Sequence, residues 1–88
     1  MAIIIMDSIH YILKAEKILK NNGLNVDLIP VPKEIHSNCG NAIEIEDNLI
    51  NKVRQLLTEK NFNFQIYVYN KELDFYLELG GYNESFKN

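Results

Sequence analysis

The chain has 88 residues, 47% apolar and 24% charged, and carries a formal net charge of −3 at pH 7. That length supports one domain with a single modest core, and the composition is that of a chain that folds rather than one that stays disordered. The acidic balance excludes the clustered Lys and Arg that nucleic-acid phosphates require, and no apolar run reaches membrane-spanning length, so neither nucleic acid nor membrane is expected as a partner.

The elements follow in chain order. "AIIIM", residues 2–6, is an apolar run of strand length, and Asp7 or Ser8 after it offers a side-chain oxygen to cap a helix. Ile9, Ile12, Leu13, Ala15, Ile18 and Leu19 then recur at helical spacing, with Lys14, Glu16, Lys17 and Lys20 outside and Gly23 suited to a left-handed stop. "NVDLIPV" alternates as a second strand until Pro30 removes a ladder donor. Past Cys39-Gly40, "NAIEIE" alternates again, with Ile43 and Ile45 inward, and Asp47 is a candidate cap for a second helix whose stripe is Leu49, Ile50, Val53, Leu56 and Leu57. "NFNFQIYVYN" reads as a strand with Phe62, Phe64, Ile66 and Val68 on one face and Gln65, Tyr67 and Tyr69 on the other.

The order is β-α-β-β-α-β. It predicts an α+β fold of the ferredoxin-like split βαβ type over residues 1–70, an antiparallel sheet with both helices on one face, followed by a C-terminal extension, residues 71–88. Tyr67 and Tyr69 would then face away from the helices. Either the tail covers them as an extra strand or short helix, or two chains pack there as a homodimer. An RNA-binding sheet would be framed by basic residues, and this one is not.

The stretch "IPVPKEIHSNCG", residues 29–40, holds both prolines, one of the two histidines and the only cysteine. In a split βαβ the loop leaving strand two lies at the same sheet edge as the turn that starts helix one. Cys39, Lys33 and His36 should therefore sit near Ser8 and His10 at the positive end of that helix, which favours a thiolate. Pro30 and Pro32 would stiffen the loop, Ser37 would lie beside the cysteine, and Gly40 would let a substrate approach the backbone closely. Such a thiol should be at least partly exposed, whereas one that only packs should be enclosed by aliphatic side chains. His10, His36 and Cys39 without a fourth ligand do not make a metal site, and no cofactor motif is present.

Together with "DSIHYILKAEKILKNNGL" upstream, this stretch resembles a family of small bacterial proteins of unknown function labelled selenium or sulfur carrier-like, over roughly residues 3–46. The resemblance implies that Cys39 holds a persulfide or selenopersulfide, received from a donor protein and passed to an acceptor. The chain departs from the family pattern at Lys33, where an arginine is usual, at His36 in place of a serine, and at Glu44, where a basic residue is common. The other reading of the residues is a non-catalytic module that grips a protein or small ligand with this loop while Cys39 packs. "MAIIIM" lacks the basic flank and cleavage site of a signal peptide, and a single thiol suits a reducing compartment, so a cytoplasmic location is expected.

Overall fold

The computed structural model describes residues 1–82. Its elements are β1 (Ala2–Ile5), α1 (Ile9–Asn21), β2 (Asp27–Pro30), β3 (Asn41–Ile45), a 3-10 turn (Asp47–Leu49), α2 (Ile50–Glu59), β4 (Phe64–Asn70) and β5 (Phe75–Tyr82). The five strands form one open sheet in the order β2-β3-β1-β4-β5, with every neighbouring pair antiparallel. The protein is thus α+β, with one strand more than the sequence pattern predicts.

Local chemistry sets the limits of α1. Ser8 has extended backbone angles, and its Oγ accepts a hydrogen bond from the Tyr11 backbone N–H at 3.3 Å, satisfying a donor that the first helical turn leaves free. At the other end Gly23 takes φ +79°, and the N–H groups of Gly23 and Leu24 donate to the carbonyls of Lys20 and Leu19 at 3.0 and 3.1 Å. This is the paired-bond stop that a glycine permits. The buried stripe is Ile12, Ala15 and Leu19. Ile9 and Leu13, expected inside, are 43% and 46% exposed. A helix laid on a sheet buries only one arc of its surface, and Leu13 lies about 100° round the helix from Ile12.

Val53 and Leu57 are the buried positions of α2, with Leu49, Ile50 and Leu56 packed partly against the same core. Asp47 does not cap this helix as expected. The chain enters α2 through the 3-10 turn, with no side-chain cap bond at the start of either segment. Because β3 pairs Ile45 with Ala2 of β1, the turn brings Asp47 beside the chain start, and its carboxylate meets the Met1 ammonium at 3.0 Å.

The pleat divides the core in two. Ala2, Ile4, Ile43, Ile45, Phe64 and Ile66 point at the helices and pack with Ile12, Leu19, Val53 and Leu57. Ile3, Ile5 and Ala42 point the other way. β1 is therefore buried on both faces, which is why its four residues are all apolar rather than alternating.

The described part of the C-terminal extension, residues 71–82, adds a strand to the sheet edge, and from it Tyr76 packs against the open-face cluster. A turn over residues 71–74 returns the chain as β5 beside β4, with one residue skipped between the pairs Tyr67↔Glu78 and Ile66↔Gly80. Gly81 is required at the close approach of the two strands. An added Cβ would lie 2.7 Å from the Gln65 Cα and closer still to the Phe64 carbonyl oxygen. The last part of the expected extension, residues 83–88, lies outside the described residues. Among the described residues no helix is long and apolar enough to cross a membrane.

Candidate functional site

The segment between β2 and β3 is a closed loop held at its neck by backbone bonds. Beyond the Pro30↔Asn41 pair, the Val31 N–H donates to the Gly40 carbonyl at 3.1 Å. Within the loop, the Ile35 N–H closes a turn on the Pro32 carbonyl at 3.0 Å, and the Cys39 N–H donates to Ser37 Oγ at 3.1 Å. Serine and proline each serve the turn that their chemistry favours.

Two side chains fasten this loop on opposite faces of the sheet. Ile35, 9% exposed, packs with Ile3, Ile5 and Ala42 on the open face, where Tyr67 and Tyr76 border it. Cys39, 3% exposed, belongs to the helix-side core that contains Met6 and Ile12. The loop thus covers the centre of the face that was expected to need the tail or a second chain. Ile35 was not singled out in the sequence, although an isolated isoleucine in a polar loop is the mark of such an anchor.

The expected site residues divide by exposure. Lys33, His36 and Gly40 are exposed, Pro32 and Ser37 are half-buried, and Pro30 is exposed at the end of β2. Ser8 is committed to the α1 cap, and the exposed His10 ring stands edge-on to Tyr11 at 5.7 Å. Carrying the β1–β3 register past Ile4↔Ile43 puts Gly40 level with Asp7, so the loop neck and the start of α1 share one end of the sheet, as expected. The expected partial exposure of the thiol is absent. Cys39, two residues before β3, is held by the Ser37 bond and packs on the side occupied by Met6 and Ile12. Among the described residues, no three His, Cys, Asp or Glu side chains gather as a metal ion would need.

The loop also carries charge onto the open face. Burial pushes the Tyr76 hydroxyl above the ordinary tyrosine range, and the carboxylates of Glu34 and Glu44 push the same way. Tyr67 is raised by burial and then by Glu78. Tyr69 is raised chiefly by the hydrogen bond that its hydroxyl donates to Asp74. Glu34 acts on both Tyr69 and Tyr76, so the loop reaches towards the β4–β5 hairpin.

A cavity of about 280 Å³ opens at the same end of the sheet, on the β4–β5 side of β1. Met6, Asp7, Gln65, Glu78 and Gly81 are among its lining residues, and Cys39 is not. Met6 and Phe64 are common to this cavity and the core cluster that encloses Cys39, and Tyr82 lines the cavity while packing against that cluster.

The chain belongs to the protein family described as "Putative Se/S carrier protein-like", whose match covers residues 1–68 and so spans β1 to most of β4, with the Cys39 loop inside it. No curated protein and no solved structure matches the chain significantly.

Proposed function

We infer that this protein carries sulfur or selenium on Cys39, loading and unloading when the loop over residues 31–40 lifts from the sheet. The observation that carries this reading is membership of the Se/S carrier-like family through a segment that contains the chain's single cysteine, its only thiol nucleophile. The loop is suited to opening, because its two anchors are single side chains and its other residues are exposed or half-buried.

The chemistry balances without an added oxidant. The Cys39 thiolate attacks the terminal sulfur of a donor persulfide; the donor's S–S bond breaks, and the donor leaves as its thiolate. Cys39 then holds the persulfide. A nucleophile on an acceptor attacks the outer sulfur, and Cys39 departs as thiolate. Selenium would follow the same path. Exposed Lys33 at the loop tip offers a positive charge to an anionic persulfide on either partner. We read β1 to β4 with the two helices as a ferredoxin-like unit acting in a reducing, cytoplasmic setting, where a lone thiol persists.

A second reading, a binding module in which Cys39 only packs, is favoured by the 3% exposure of Cys39. Mass spectrometry of protein purified without reductant separates the two. A mass increase of one sulfur or selenium atom, absent in Cys39→Ser and removed by dithiothreitol, supports the carrier. Failure of folded protein to take up sulfur from a persulfide donor, while unfolded protein does so, supports the packing role.

A further inference from the structure

The large apolar side chains left in solvent concentrate on the β4–β5 hairpin: Leu73 is 63% exposed, Phe75 55%, Leu79 48% and Leu77 41%. Among the described residues β5 is the edge strand, and one side of its backbone has no ladder partner there. Natural edge strands are usually guarded by lysine or proline, and Phe75–Tyr82 contains neither. On the open face, by contrast, Ile35 covers the apolar centre formed by Ile3, Ile5 and Ala42.

We propose that β5 pairs antiparallel with β5 of a second copy of this chain about a two-fold axis through Leu77, joining two five-stranded sheets into one. An axis perpendicular to the sheet keeps the helices of both copies on the same side, and it must pass through a residue of the strand. Three centres are available in the middle of the exposed stretch, and charge distinguishes them. Centring on Tyr76 sets Asp74 against the partner's Glu78, and centring on Glu78 sets that carboxylate against itself; both oppose like charges. Centring on Leu77 sets Leu77 against its own copy and Phe75 against the partner's Leu79, while Tyr76 meets the partner's Glu78, a hydroxyl facing a carboxylate. Leu77 lies opposite Val68 on the helix side, so the central Leu77 pair extends the existing core side of the sheet. The residue skipped at Leu79 interrupts the regular strand and holds the pairing to Phe75–Leu79, an ordinary strand length of about five residues.

Sedimentation of the full chain over a concentration series should show a monomer–dimer equilibrium, and Leu77→Lys should shift it to monomer while keeping the thermal melt that the parent shows at concentrations where it is monomeric. Cross-linking tests the register. In a Cys39→Ser background, Leu77→Cys should form a disulfide dimer on mild oxidation, because opposed Cα atoms lie about 4.5–5.5 Å apart and within disulfide reach. Phe75→Cys should not, since four residues of offset separate the two cysteines by about 13 Å. A chain that stays monomeric at every concentration, a dimer that survives Leu77→Lys, or cross-linking at Phe75→Cys in preference to Leu77→Cys would overturn the proposal. Should Leu77→Lys fail to fold, the cysteine pair decides alone.

Discussion

Replacing Ile35 by alanine tests whether the loop is the door to Cys39. Ile35 is 9% exposed and packs on Ile3, Ile5 and Ala42. Isoleucine to alanine in a core costs about 2–5 kcal/mol, and a site at the rim of a small cluster belongs near 2. If loop opening is a local event, that loss falls on the closed loop alone, and about 2 kcal/mol multiplies the open population roughly 30-fold. Alkylation of Cys39 in native buffer, followed by mass spectrometry, should accelerate by that factor. Leu57→Ala is the control, because Leu57 is a fully buried residue of α2 and its loss lowers global stability by at least as much without touching the loop. Local opening predicts that Ile35→Ala speeds the reaction and Leu57→Ala leaves it unchanged. A chain of this length is stable by about 4–13 kcal/mol, so a thiol reached only by global unfolding would react a thousandfold or more slower than a free one. Equal acceleration by both variants, in proportion to their loss of stability, would refute the local door and assign Cys39 to the core.

Two further outcomes follow from the sheet. Gly81→Ala should lower stability by about 1–3 kcal/mol, because the added Cβ forces β4 and β5 apart at Phe64 and Gln65; a thermal melt identical to the parent would contradict this strand pairing. Tyr67, Tyr69 and Tyr76 all have hydroxyls raised above their unfolded value of 10.0, so the stability they contribute is fully present below pH 10 and is lost as pH rises through their folded values. Ultraviolet titration should show a late-ionising group among the five tyrosines, and Glu34→Gln should move part of it earlier. Tyrosines that all titrate together in the ordinary range would place Glu34 away from the hairpin.

What the sequence determined is what depends on near neighbours. Ser8 and Gly23 bound α1 because a cap and a left-handed stop are made within one helical turn, and each is where the pattern put it. Ile43 and Ile45 face the helices because alternation is a property of the strand itself, and the Phe64–Ile66 side of β4 was legible for the same reason. The end of the sheet shared by the loop and α1 followed from connection geometry. Only the tertiary structure decided the rest. Leu13 has the same chemistry as Leu19, yet it stays wet because exposure depends on which arc the sheet covers. Asp47 was expected to cap, but strand register brings it to the chain start. The tail's apolar residues gave no clear period, since β5 is an edge strand exposed on more than one side. A loop has no repeating geometry from which the direction of a side chain can be read. That Ile35 and Cys39 fasten opposite faces, leaving the single thiol buried, is fixed by contacts with residues some thirty positions away in the chain, which no local pattern encodes.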